Sequence, residues 1–414
     1  MKLATFHARA SARRKQRDAF VASGLSTAQF GEDILLFGED TQWDTVTARA
    51  GRDGSRLTER AAKVKRDHLY VVIQNGRLFQ QQHPEVPVLL DRGRFLLIEV
   101  EPKRVRRLLD KHGTCYGILP LADEMIVFDR PDSSRIRGER VAAIQSLVEQ
   151  VSPQRFAADL THLASFPTRN SLTPHYKQAS LWARNQLTSL GYTTRFQKVT
   201  VNGQPSRNVI AEKRGKAVGV RKVVVVTAHL DSINLAGGVQ ADAPGADDNG
   251  SGSAGVLEMA RVFRNQQNKQ DLRFILFGGE EQGLFGSQRY VASLSKTEQK
   301  RVHATVNMDM IGTLNTNART VLLEGASLSQ SVIDGLHTAA TTYTQLQIET
   351  SLHPFNSDHV PFITAGIPAV LTIEGADSTN SHVHSMHDTL NHINFELATE
   401  ILRMNVAFIA REIG

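Results

Sequence analysis

The sequence predicts an α/β fold, a mainly parallel mixed sheet sandwiched by helices, preceded by a small α+β domain. Three observations carry this. Val223-Val224-Val225-Val226, bounded by charge and turn residues, reads as a strand buried on both faces, as in a parallel sheet. Strand and helix signals alternate from about Gln150 to the C-terminus. Between this region and a shorter β-β-α-β stretch lies the polar, turn-rich break Asp129-Arg130-Pro131-Asp132-Ser133-Ser134.

Taken in order, the chain predicts a poorly defined arm over 1–66, a small α+β domain over 67–130 that is either a propeptide or an accessory domain, a linker and helix over 131–149, and the main domain over 150–414. The first residues carry Arg13-Arg14-Lys15 but lack the apolar core of a secretory leader, so no export signal is expected in the sequence as it stands. Ser23 to Arg66 mixes weak apolar patches with Gly, Asp and Arg, and no structure is assigned to it. Leu69–Ile73 and Phe95–Val100 read as strands. Lys103 to His112 reads as a helix closed by Gly113, and Cys115–Leu119 and Met125–Phe128 as further strands.

In the main domain, Val141–Val151 has helical spacing. Ser152-Pro153 is an N-cap followed by Pro at the first turn of a second helix. A third helix runs Tyr176–Leu190 and stops at Gly191. Strands follow at 194–201, 208–212, 222–227, 272–277, 304–307, 321–323 and 369–373. Helices are expected over 253–264, near 286–294, over 329–342 and over 395–412.

The composition sets limits. The 414 residues carry 48 Lys and Arg against 42 Asp and Glu, a formal charge of +6, with no basic stripe interleaved with aromatics, so no nucleic-acid partner is expected. No apolar run approaches the roughly 18 residues that span a bilayer, and no membrane partner is expected. With the single cysteine Cys115, any metal must be held by His, Asp and Glu. Cys115 itself reads as a small core residue.

Chemistry-bearing residues fall at strand ends: His229 and Asp231 after the valine strand, Glu280-Glu281 after Leu272–Phe277, Asp309 after Ala304–Val306. Asp247 lies in the Gly-rich loop before the Ser253 helix, and His384 in Ser381–Thr389. In a parallel sheet the C-terminal strand ends share one rim, where ligands bind. Two divalent ions need a carboxylate that bridges them, one or two further N or O ligands each, and a base for the attacking water. Two His and three carboxylates meet the first needs, and Glu280-Glu281 offers one ligand and one base. Asp231 is placed to orient His229, and Asp388 to support His384.

In order, these segments resemble the M28 family of dizinc aminopeptidases: His229-Leu-Asp231, Gly245-Ala-Asp247-Asp248, Glu280-Glu281-Gln-Gly-Leu-Phe-Gly286-Ser287, Asn-Met-Asp309-Met, Ser357-Asp358-His359 and His384-Ser-Met-His-Asp388-Thr389. The resemblance implies a zinc-exopeptidase, phosphorylase/hydrolase-like fold and two Zn2+ per chain. It implies Asp247 as the bridge, His229 and Asp309 completing one site, Glu281 and His384 the other. Glu280 becomes the general base, Asp231 orients His229, and the Asp247-Asp248 peptide is cis. The expected substrates are peptides with a free N-terminus.

The segment Leu352-His353-Pro354-Phe355-Asn356 departs from members that carry a Tyr and a disulfide just before Ser-Asp-His. Two other readings stay open at this level: a related dizinc carboxypeptidase or deacylase, and an inactive peptidase-like binding protein.

Overall fold

The structure, a computed structural model, describes residues 1–43, 46, 56–109, 116–133 and 136–414. The expectation for Cys115 and the proposed Gly113 stop lie outside the described residues. Two compact units form.

The first unit comprises Met1–Asp132, Glu349–Phe355 and Ala376–Ser381. Its elements are β1 (Lys2–His7), α1 (Ala10–Val21), β2 (Ser26–Gly31), β3 (Asp33–Gly38), β4 (Arg56–Ala61), β5 (Leu69–Gln74), α2 (Leu78–Gln82), β6 (Val88–Arg92), β7 (Phe95–Glu99), α3 (Pro102–Leu108), β8 (Tyr116–Pro120) and β9 (Met125–Asp129). Two sheets result, in the orders β9-β2-β3-β1-β4 and β6-β7-β5-β8.

The expected arm over 1–66 is therefore corrected, since β1, α1, β2, β3 and β4 lie within it. Phe6, Phe20, Ile34 and Leu36 build a core there, with Phe6 and Phe20 ring centroids 5.0 Å apart. Each apolar run is only a few residues long, and its partner strand is distant in sequence: Leu3 faces Phe37, and Phe6 faces Leu57. The late segments join this unit through buried polar bonds. Arg94 pairs with Asp377 at 3.0 Å and donates to the Phe355 carbonyl, and Ser378 Oγ donates to the Gln74 carbonyl.

The second unit comprises Ser133–Ile348, Asn356–Gly375 and His382–Gly414. It opens with α4 (Ala142–Glu149), α5 (Pro153–Ala164) and α6 (Pro174–Ser189). Then come β10 (Thr193–Val201), β11 (Gln204–Lys213), β12 (Val223–His229), α7 (Gly252–Phe263), β13 (Asp271–Phe277), α8 (Phe285–Ser293), α9 (Lys296–Arg301), β14 (Val302–Met308) and β15 (Thr320–Glu324). The series ends with α10 (Gln330–Tyr343), β16 (Gln347–Ser351), α11 (His359–Thr364), β17 (Ala369–Glu374) and α12 (Phe395–Ile413). As the Ser152-Pro153 pattern predicts, the Ser152 side chain caps α5 by accepting from Arg155 N.

The strand order is β10-β11-β13-β12-β14-β17-β15. The pairs β12–β13, β12–β14 and β14–β17 are parallel, while β10–β11, β11–β13 and β15–β17 are antiparallel. The valines of β12 show why this strand is central. Val224 and Val226 enter one core with Leu257, Phe263 and Ile401. Val223 and Val225 enter the other, with Tyr290, Val291 and Phe362. All four are buried, as helices on both faces of a parallel sheet require. Among the described residues no helix is long and apolar enough to cross a membrane.

Candidate metal centre

The C-terminal ends of β12, β13 and β14 share one rim, and the chain turns polar at each. The β12 strand ends on His229, and the turn after β13 carries Gly278-Gly279-Glu280-Glu281. Asp309 follows β14. His229 is buried, with Nε2 at 3.2 Å from Asp309 Oδ1, 3.2 Å from Asp248 Oδ1 and 3.9 Å from Glu280 Oε2. On the other side, His384 Nε2 lies 3.0 Å from Asp248 Oδ2 and 3.1 Å from Glu281 Oε2. Asp248 thus addresses one carboxylate oxygen to each imidazole. Two groups bring one ligand atom from each of three side chains within 4.8 Å of one another, close enough to hold a metal ion: His229 with Asp248 and Glu281, and His229 with Glu280 and Asp309.

This corrects the expected bridge. Asp247 is fully buried, but its Oδ1 accepts from Gly312 N at 2.9 Å and from Ser251 Oγ at 3.3 Å. Its carboxylate closes the loop, and Asp248 occupies the position between the histidines. The cis peptide is likewise Asp248-Asn249, one residue later than expected. Asn249 ties this loop to the end of β14, its Nδ2 donating to the Met308 carbonyl at 2.9 Å.

Two supporting roles also differ from expectation. His229 Nδ1 donates to the main-chain carbonyl of Asp231 at 3.1 Å, whereas the Asp231 carboxylate is 3.8 Å away. That carboxylate instead accepts from the backbone N–H groups of Glu280 and Glu281, at 3.4 and 3.3 Å. Asp388 does not touch His384 through its side chain. Its two oxygens accept from Asp247 N and Asp248 N, each at 2.9 Å, a bidentate grip on the loop that carries the shared carboxylate.

Other residues complete the shell. Ser357 Oγ donates to Asp309 Oδ2 at 2.6 Å, which fixes the carboxylate facing His229. His359 is buried, and its Nε2 lies 3.4 Å from Glu324 Oε1. Met310 and His384 hold left-handed backbone at φ 51° and 57°, strain that persists in a non-glycine residue only where the surroundings over-determine it.

The electrostatics call for cations. Asp248, Glu280, Glu281 and Asp309, all largely buried, converge on two imidazoles. Burial pushes the Glu280 carboxyl well up, the positive His229 opposes it, and the charges of Asp309 and Glu281 add to the rise. Burial and the Asp248 charge push Glu281 up to about 7 against His384. Burial alone would lower His229, yet the charges of Asp309 and Glu280 raise it well above the ordinary imidazole range. Glu281 Oε1 is buried without a hydrogen-bond partner. A surplus of buried carboxylate with an unsatisfied oxygen fits a divalent cation and its N/O ligand chemistry.

The comparisons with known proteins bear on the family of the chain. The model of peptidase family M28 matches residues 208–409, which contain every residue of the cluster. Aminopeptidase YwaD of Bacillus subtilis is 38% identical over 201 residues, 47% of this chain, and the match spans 42% of that relative's length. Leucine aminopeptidase 1 of Arthroderma otae is 30% identical over 290 residues, covering 64% of this chain and 76% of the relative. Among solved structures, BSAP, a zinc aminopeptidase from Bacillus subtilis, superposes with a TM-score of 0.58 at 20% identity, covering 64% of this chain and 95% of that one. At that identity the likeness is one of fold. With the family model matched over residues 208–409 and 76% of a 30%-identical relative covered, the chain belongs to peptidase family M28 and is a metallo-exopeptidase of the aminopeptidase class.

Proposed function

We propose that the protein releases N-terminal residues from peptides with a free N-terminus at a pair of zinc ions. In this reading His229 and Asp309 hold one ion, His384 and Glu281 the other, and Asp248 both. The observation that carries it is the Asp248 carboxylate, with Oδ1 at 3.2 Å from His229 Nε2 and Oδ2 at 3.0 Å from His384 Nε2. A carboxylate offering one oxygen to each of two sites is what a cocatalytic pair needs.

When bound, a zinc pair supplies Lewis acidity that polarises the scissile carbonyl and acidifies the attacking water. Glu280 takes the proton from that water and passes it to the leaving amine. Its carboxylate lies beside the cluster, Oε2 at 3.9 Å from His229 Nε2, where a water held between the ions would be within its reach. Asp231 fixes the peptide carrying Glu280 and Glu281, so base and ligand hold a constant offset. The carboxylates around the site attract the substrate ammonium group, which confines cleavage to the first residue.

The test is hydrolysis of an aminoacyl chromogen by zinc-replete protein, compared with Glu280→Ala and with an N-acylated substrate. Wild type is expected to cleave the free substrate, to lose activity on chelation, and to bind close to two zinc ions. Glu280→Ala should keep its zinc and lose about 10³-fold or more in kcat. A Glu280→Ala rate near wild type removes the base assignment, and preference for the acylated substrate turns the reading to a deacylase.

A further inference from the structure

Arg169 lies at the junction of the two loops that carry His229 and Asp248, and its side chain is completely buried. Its donors are spent on backbone. Nε donates to the Leu230 carbonyl at 2.9 Å, Nη1 to the Leu163 carbonyl at 3.0 Å and to the Pro244 carbonyl, and Nη2 to the Gly245 carbonyl at 2.8 Å. Its own N–H donates to Ser232 Oγ at 3.0 Å, and that hydroxyl donates onward to the Ala243 carbonyl at 2.7 Å.

One rigid planar fork therefore grips the residue after His229 and the two residues that open the Gly245–Asp248 loop. Gly245 has φ 53°, and a Cβ there would meet Asp248 O and Ser232 Cβ at 2.5 Å, with Arg169 Nη2 at 3.1 Å. The loop leaves no slack for the guanidinium to be replaced by a differently shaped cation.

We propose that Arg169 is a positioning residue that sets the distance between His229 and Asp248, and with it the metal affinity of the pair. The proposal rests on the metallopeptidase reading above. Two physical properties single out arginine here. A guanidinium presents five donors in a fixed plane, so four carbonyls from three segments are held in one geometry. Its charge also opposes the surplus of carboxylates without approaching the ligands themselves. Burial draws the guanidinium down to about 10 against the charges of Asp388, Asp231, Asp248 and Glu281, which leaves it cationic at neutral pH. A lysine would keep the charge but, as a point donor on a flexible stem, would lose the simultaneous grip.

The test is chelator-competition titration of zinc on the full chain, run with steady-state kinetics for wild type, Arg169→Lys and Ser232→Ala. For Arg169→Lys, zinc affinity should fall by about 10- to 100-fold, with kcat falling and KM unchanged within about 2-fold, as when an outer partner of a metal ligand is removed. A merely structural role would lower the melting temperature of the metal-free protein and leave the zinc affinity of the folded fraction as in wild type. Ser232→Ala, a smaller change, should weaken zinc by about 3-fold or more, and it decides the matter should Arg169→Lys not fold. Wild-type affinity in whichever of these variants folds overturns the proposal. Failure of the wild-type protein to take up zinc overturns the metallopeptidase reading instead.

Discussion

At the scale of single residues, the adjacent pair Asp247-Asp248 divides two duties that look alike on paper. Asp248 faces both imidazoles, while Asp247 accepts from Gly312 N and Ser251 Oγ inside the loop. Asp248→Asn is therefore expected to cost more than the roughly 100-fold in zinc affinity that outer-shell losses reach, because it weakens a ligand of both ions. Asp247→Asn keeps an oxygen for Gly312 N–H. It also relieves the crowding with Glu374, a buried carboxyl held well up by burial and by the Asp247 charge. It should retain zinc within about 10-fold. Zinc content after dialysis and the rate of chromogen hydrolysis separate the two, and equal losses would refute the division. The sequence could not make this choice. Gly-Ala-Asp-Asp announces a carboxylate in the loop, but which of two neighbours turns inward depends on Gly312 and Asp388, 65 and 141 residues further on. His229, Glu280, Glu281, Asp309 and His384 stand out in the sequence because they follow strands or lie in a compact motif, and the structure brings their side chains together.

At the scale of elements, legibility follows locality. The β12 strand was readable because alternate valines enter two different cores, so both faces demand apolar side chains. The cap of α5 was readable from Ser152-Pro153 alone. By contrast, α6 begins two residues earlier than its apolar spacing suggested, at Pro174, where Thr173 accepts from Tyr176 N. Thr173 is fully buried, and Tyr176 in the first turn sends its hydroxyl to the Arg207 carbonyl at 2.7 Å. Loss of this cap therefore disturbs the anchoring of the helix on β11. Thr173→Ala should cost about 1 kcal/mol, and up to about 2 given its burial, read as a lowered denaturant midpoint at constant slope. A change below the error of that measurement would mean that Pro174 alone sets the start of the helix. The strands before residue 62 were missed for the opposite reason. Their pairing, such as Leu3 with Phe37 and Phe6 with Leu57, joins short runs that no local pattern connects.

At the scale of the whole molecule, the unit that carries the candidate site buries more carboxylates than Arg169, His229 and His384 offset, and a bound cation or bound protons supply the remaining counter-charge, which links metal content to pH and stability. In the metal-free protein, burial and the Asp248 charge hold Glu281 up to about 7, whereas the unfolded chain returns it to about 4.3. Between these values the folded state holds a proton that the unfolded state has released. Stability must then fall as pH rises through that window, and the loss is complete once Glu281 ionises in the fold. Zinc replaces the proton as counter-charge, so the loaded protein escapes this penalty, and the metal adds RT ln(1 + [L]/Kd), about 4 kcal/mol at a thousandfold excess over Kd. The difference in melting temperature between zinc-loaded and chelator-treated protein should therefore be small at pH 5 and widen steadily to pH 8, in part because zinc binding itself releases protons. Differential scanning calorimetry at fixed ionic strength measures it directly. A gap that stays constant or narrows with rising pH would mean that the Glu281 carboxyl is not compensated by the metal, and the ligand set would have to be redrawn without it.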